Sequence, residues 1–253
     1  MSVSKQIVIL GMHRSGTSML SKILSLAGVN MGEDDGIRDI SNVDGHIEDE
    51  VLLRINENIL FSLDSTWDSP PTITKVDENE SSIISIYEEY AISKSGVWGV
   101  KEPRLALFID QFSKVLDNPY YIYIKRDGLD VANSLKVRNF FSTEKSLELK
   151  SIYDSRIESF LGNKKSFNVD YNELVKNPGV VVKQLCDFIG IDYSTTYHAK
   201  VKTAKELKKG KRKVFVRYIL QWVIRLVRDP RKIFKKKSIT IVKTILLRVK
   251  EII

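Results

Sequence analysis

Apolar and polar positions change period several times along this chain. Gln6 to Leu10 is a short apolar run closed by Gly11, which predicts a strand, and after the following polar loop Leu20, Ile23, Leu24 and Ala27 recur on one helical face until Gly28 stops it. Gly45-His46-Ile47-Glu48-Asp49-Glu50 opens a second helix carrying Val51, Leu52, Ile55, Ile59 and Leu60 at helical spacing. Trp67 to Thr74, with Pro70-Pro71, reads as a loop, and Ile83 to Ala91 reads as another helix. Val97 to Val100 predicts a short buried strand, with a helix from Arg104 through Leu116 behind it. The next strand is Tyr120 to Ile124, and the helix after it carries Asp130, Ser134 and Arg138. Phe167 to Tyr171 reads as a strand, and Pro178 as the first position of a helix that ends at Phe188-Ile189-Gly190.

Strands alternating with helices in this order predict an α/β fold, a parallel sheet with helices on both faces, whose ligands gather at the carboxyl ends of the strands. Three charged clusters fall at such ends: residues 11 to 18, Lys101 to Arg104, and Arg126.

The first cluster, Gly11-Met12-His13-Arg14-Ser15-Gly16-Thr17-Ser18, has the spacing of a phosphate-binding loop. Its glycines let the backbone curl so that successive N–H groups and a helix N-terminus face one anion, with Ser15, Thr17 and Ser18 adding hydroxyl donors. It departs from the nucleotide-triphosphatase pattern, which places Lys and then Ser or Thr after the second glycine; here Thr17-Ser18 follow Gly16, and the cation, Arg14, lies inside the loop. Such a site suits a short anion such as a 5′-phosphosulfate at least as well as a triphosphate. Ser134 and Arg138 are four residues apart on one helical face, and with Arg126 they form a receptor for a second phosphate. A ligand with two anionic ends is implied.

The chain therefore resembles the sulfotransferases that use 3′-phosphoadenosine 5′-phosphosulfate, whose fold is related to that of the phosphate-binding-loop nucleoside triphosphatases. His13 to Ser18 is similar to the family's 5′-phosphosulfate loop, and Arg126 with Ser134 to its 3′-phosphate motif. Lys101-Glu102-Pro103-Arg104 is similar to an element of the tyrosylprotein and bacterial glycan branches, and Tyr171 to Pro178, ending in Phe188-Ile189-Gly190-Ile191, to a late strand-and-helix element. The resemblance spans roughly residues 6 to 192. It implies donor binding by Arg14, Ser15, Gly16, Thr17, Ser18, Arg126, Ser134, Arg138 and Tyr171, with no metal. It further implies that Arg14 and Lys101 meet charge on the leaving phosphate, and that a carboxylate after the first helix serves as base. Glu48 occupies that place, His46 is its rival, and an acid in a helix's first turn also suits the helix dipole without any part in chemistry. Glu102 either binds acceptor hydroxyls or pairs with Arg104. The implied acceptor is a hydroxyl of a glycan or glycolipid.

Composition adds the rest. The chain has 253 residues, 43% of them hydrophobic, enough for one large α/β domain and an appendage. Its one cysteine, Cys186, lies in an apolar setting and reads as packing in a reducing compartment, and three scattered histidines lack ligand spacing. With the first strand at residue 6 and no long uncharged run, the expectation is a cytoplasmic protein. The net charge of +8 is uneven: residues 205 to 253 hold 17 Lys and Arg against three acids, leaving 23 basic and 29 acidic residues in 1 to 204. This divides the chain into a sulfotransferase-like domain, 1–204, and a basic tail, 205–253. In the tail, Arg217, Gln221, Arg225 and Arg228 form a polar stripe on an apolar helix, and a second amphipathic stretch follows from Lys236. These helices either meet an anionic membrane, at the inner face, or pack on the domain or another subunit. No recognition module accompanies the charge, so nucleic acid is not expected as a partner. A kinase is disfavoured by the missing loop lysine and by Lys125-Arg126 where a magnesium-holding acid belongs, and a non-catalytic membrane-associated binding module is the third reading.

Deleting residues 205–253 is expected to leave donor binding intact and to abolish co-sedimentation with anionic vesicles that fades as salt rises. Absence of vesicle binding at any salt, together with a lowered melting temperature of the truncated chain, would assign the tail to the fold instead.

Overall fold

A computed structural model of the chain describes residues 5–32, 48–162 and 164–198. The acidic stretch Glu33-Asp34-Asp35-Gly36, His46 and the tail from 205, including its basic run Lys208 to Lys213, lie outside the described residues.

Four strands, β1 (Lys5–Leu10), β2 (Val97–Val100), β3 (Pro119–Lys125) and β4 (Ser166–Asp170), form one parallel sheet in the order β2-β1-β3-β4. Parallel pairing requires crossovers that return the chain over the faces, which buries the strands on both sides. Side chains accordingly alternate between two cores. Ile7, Ile9, Ile122 and Ile124 pack with Leu20, Ile23 and Leu24 of α1 (Thr17–Leu26) and with Leu185, Cys186 and Ile189 further along. Val8, Leu10, Tyr121 and Tyr123 face the opposite core, with Leu52, Tyr87, Phe112, Leu135 and Tyr153. The two-faced burial of β1 and β3 explains why their sequences are apolar without alternation.

The second core is covered by α2 (Glu50–Ser62), α3 (Ile73–Glu78), α4 (Glu80–Ile92), a 3₁₀ segment (Pro103–Leu107), α5 (Ile109–Ser113), α6 (Gly128–Asn139) and α7 (Thr143–Leu161). On the first face α8 (Tyr171–Lys176) and α9 (Pro178–Ile189) join α1, and α10 (Thr195–His198) follows. Three boundaries correct the sequence expectation. The helix expected through Leu116 is two short pieces, because Pro103 opens a tight 3₁₀ turn and Phe108, at φ −132, interrupts it before α5. Residues 73 and 74 belong to α3, capped by Thr72 Oγ1 accepting from Lys75 N. Tyr171 starts α8 and does not end β4: Asp170 caps that helix by accepting from Glu173 N, and the backbone turns there.

Because strand order reverses at β1, with β2 on one side and β3 on the other, the loops leaving β1 and β3 diverge and open a crevice at their carboxyl ends. Two devices position its rim. Asp49 caps α2 by accepting from Val51 N and Leu52 N at 3.0 and 3.2 Å, and its other oxygen accepts from Tyr90 Oη at 2.9 Å and Lys94 Nζ at 2.6 Å. This one buried carboxylate ties the start of α2 to the end of α4, and Gly32 presses so close that a Cβ there would lie 2.4 Å from it. On the other side α7 pins the segment before α3: Tyr153 Oη donates to the Trp67 carbonyl at 2.8 Å, Lys145 pairs with Asp68 at 3.0 Å, and Arg156 donates to the carbonyls of Pro71 and Leu107.

Asp49→Ala removes a cap and two buried partners at once, leaving Tyr90 Oη without its acceptor. It is expected to lower stability by about 2 kcal/mol or more, measured as a shift in the urea unfolding midpoint at unchanged m-value.

Candidate active site

Gly11 and Gly16 are where the loop between β1 and α1 needs glycine. A Cβ at Gly11 would approach the Ile124 side chain to 2.9 Å, and Gly16 combines φ +103 with a Tyr171 ring that a Cβ would meet at 2.6 Å. The chain therefore enters α1 tightly wound over β3. No side chain caps α1 at Gly16 and no acid lies in its first turn, so its leading amides and the positive end of its dipole face the crevice. Arg14 takes the left-handed conformation at φ 71, which is costly for a residue with a side chain. Its guanidinium Nε donates to Ser134 Oγ at 2.9 Å, and its own carbonyl accepts from Arg126 Nη1 at 2.8 Å. The loop after β1 is thus tied to both the end of β3 and the middle of α6.

Arg126 stacks at 4.0 Å on the Tyr171 ring, the same ring that abuts Gly16. Its Nε is buried with no hydrogen-bond partner, the Asp130 carboxylate standing 4.0 Å away. A buried guanidinium N–H in that condition is a donor waiting for an acceptor. The residues expected to take a 3′-phosphate thus lie in the crevice that holds the 5′ loop.

Lys101, at the carboxyl end of β2, is 1% exposed and donates to Glu48 Oε1 at 2.6 Å and to Ser18 Oγ at 3.3 Å. One ammonium therefore joins the first turn of α1 to Glu48. Glu48 is not the cap of α2, since Asp49 fills that role. The two alternatives for Glu102 are also separated by the structure: its carboxylate is buried, accepting from Arg104 Nη1 at 2.5 Å and from Asn56 Nδ2 at 2.7 Å. Asn56 in turn accepts from Tyr87 Oη at 2.6 Å, and Arg104 reaches Glu57 at 3.0 Å. Burial pushes the Glu102 carboxyl up from its ordinary range, and the adjacent Arg104 guanidinium opposes that push. It is a buried anchor for the 3₁₀ segment.

His13 was part of the loop motif without a role of its own, and its setting emerges only from the fold. It is 7% exposed, lies 4.5 Å from the Trp67 ring and 6.1 Å from Tyr153, and its Nε2 has no hydrogen-bond partner. Burial, reinforced by the positive charges of Arg104, Arg138, Lys101 and Arg14, holds it well below the ordinary imidazole range. The imidazole is neutral, and the four cations acting on it measure how closely the β1, β2 and α6 clusters converge. Among the described residues no group of His, Cys, Asp and Glu is arranged to hold a metal, and no helix is long and apolar enough to cross a membrane.

The family model described as "Sulfotransferase family" matches residues 6–195. No curated protein is matched. Solved structures of similar shape include the sulfotransferase domain of the Synechococcus PCC 7002 olefin synthase, at 17% identity and TM-score 0.49, covering 76% of this chain and 75% of that one. The sulfotransferase domain from the curacin biosynthetic pathway aligns at 19% identity and TM-score 0.49 over the same shares, 76% and 75%. A Mycobacterium avium sulfotransferase aligns at 14% identity and TM-score 0.47 over 79% of this chain and 67% of that one.

The depressed pKa of His13 has a stability consequence. Below about pH 6.5 the unfolded imidazole takes a proton that the folded one refuses, so the unfolded state binds more protons and stability falls as pH drops through that range. His13→Gln is expected to flatten the decline in melting temperature between pH 7.5 and pH 5.5 relative to the unaltered chain, read by thermal scans at each pH.

Proposed function

The chain belongs to the sulfotransferase family, and from that premise we propose that it moves a sulfuryl group from 3′-phosphoadenosine 5′-phosphosulfate to a hydroxyl of a glycan or glycolipid. The observation that carries this reading is the 2.9 Å bond between Arg14 Nε and Ser134 Oγ, which puts the anion-binding loop of β1 and the cationic receptor of β3 and α6 in one crevice. A donor bearing a phosphosulfate at one end and a phosphate at the other matches two such sites, and the partnerless Arg126 Nε is the donor that the second phosphate would satisfy. Ser15 to Ser18 with Arg14 and Lys101 would hold the phosphosulfate, and Arg126, Ser134, Arg138 and Tyr171 the nucleoside 3′-phosphate.

The donor supplies an activated S–O bond: as it breaks toward the leaving phosphate, a new one forms to the acceptor oxygen. Lys101, bonded to Glu48 and Ser18, would neutralise charge growing on the leaving oxygen. Glu48 takes the acceptor's hydroxyl proton as general base. Lys101-Glu102-Pro103-Arg104 resembles an element of both the tyrosylprotein and the bacterial glycan branches, and the glycan branch motivates the acceptor class proposed. In this reading the donor domain works in the cytoplasm while the basic tail holds it at an anionic membrane face.

Calorimetry should show binding of 3′-phosphoadenosine 5′-phosphate without magnesium, at least about tenfold tighter than adenosine 5′-phosphate, given the charge-assisted bonds that the second phosphate adds. Equal affinities would contradict the assignment. Glu48→Gln should keep that binding and lose about 100-fold or more in turnover with labelled donor and cell-envelope glycans. A near-normal rate in that variant, with loss in His46→Ala, would make His46 the base.

A further inference from the structure

We propose that Arg126 is a positioning residue for the anion-binding loop as well as a ligand-binding cation, so that the two anion sites are coupled through it. The inference rests on the donor reading only in its choice of nucleotide probes. Arg14 sits at φ 71, a conformation that its own side chain disfavours and that something must hold. The hold comes from Arg126 Nη1, which donates to the Arg14 carbonyl at 2.8 Å. The Arg126 guanidinium carbon lies over the Tyr171 ring, 4.0 Å from its centroid, and that ring crowds Gly16, so the pair braces the loop at two points two residues apart.

The remaining geometry makes the brace responsive. Arg126 spends Nη1 on the loop, while its Nε is buried and without a hydrogen-bond partner, with Asp130 at 4.0 Å. An anion captured by Nε fixes the same guanidinium that fixes Arg14, and Arg14 in turn holds Ser134 at the second site. Filling either site therefore orders the other, a coupling that is reciprocal by thermodynamic necessity. Loss of Arg126 must then harm ligands that carry no 3′-phosphate at all, whereas a residue serving the 3′-phosphate alone would leave them untouched.

Hydrogen exchange of the ligand-free full chain tests the brace without any nucleotide. In Arg126→Ala, amides of residues 15 to 18 should exchange about tenfold faster than in the unaltered protein, while those of β3 are unchanged; Tyr171→Ala should do the same, and Tyr171→Phe, which keeps the ring, should not. In a second arm, affinity for adenosine 5′-phosphosulfate, which lacks a 3′-phosphate, should fall about tenfold in Arg126→Ala. Unchanged loop exchange together with unchanged affinity for that probe overturns the proposal. Should Arg126→Ala fail to fold, the tyrosine pair decides: equal loop exchange in Tyr171→Ala and Tyr171→Phe overturns it, and faster exchange in Tyr171→Ala alone upholds it. Loop exchange that responds as expected in a chain that binds neither nucleotide leaves the brace standing and refutes the donor assignment instead.

Discussion

Crowding of positive charge at one end of the sheet is the constraint on which the rest of this structure depends. Arg14, Lys101, Arg104 and Arg138 all act on one buried imidazole, and like charges so gathered repel unless counter-charges and low protonation elsewhere offset them. Glu48 neutralises Lys101, and Glu102 and Glu57 neutralise Arg104. His13, at the centre, stays neutral. The α1 N-terminus, uncapped by any side chain, adds its own partial positive charge to the same crevice. An assembly of this kind is tolerable when folded because acids are interleaved with the cations.

Holding such charges in place takes rigid scaffolding, and the two flanks supply it differently. On the β2 side, Asp49 locks α2 to α4 and thereby sets Glu48, its neighbour in sequence, against Lys101. Glu102, the residue after that lysine, is buried and anchored by Asn56, with Tyr87 behind it. On the β3 side, Arg126 and Tyr171 brace the loop itself, and α7 pins the Trp67 segment that walls His13. The residues nearest the proposed chemistry are thus each held by neighbours, some of which the proposal also assigns to donor or acceptor, and this is how a preorganised electrostatic site is built.

Much of this was legible in the sequence because glycine spacing and two-faced strands leave unambiguous traces. The strand β2 and the helix α9 fall where the apolar pattern put them, and Arg14, Lys101, Arg126, Ser134 and Tyr171 all stand at strand ends or on the helix that follows β3. Long-range pairings left no such trace. Arg14 and Ser134 are 120 residues apart, and nothing local announces that a loop arginine would reach a serine in the middle of α6. The lowering of the His13 pKa comes first from burial and then from cations on three separate elements, neither of which is local in sequence. The 19-residue α7 escaped notice because its buried face, Ser146, Leu149, Tyr153 and Ile157, includes a serine among heavily charged neighbours, which blurs the apolar stripe. Asp49 stands in a run of acids that hides its role, although its adjacency to the helix start is the ordinary signature of a cap.

A crystal structure of the chain with 3′-phosphoadenosine 5′-phosphate tests the central claim most directly. The account requires the 5′-phosphate on the amides of residues 15 to 18 and the 3′-phosphate bonded to Ser134 and to Arg126 Nε, with the Arg126 bond to the Arg14 carbonyl retained. A nucleotide bound away from α1, or one whose 3′-phosphate points to solvent while Arg126 Nε stays unpaired, would contradict it.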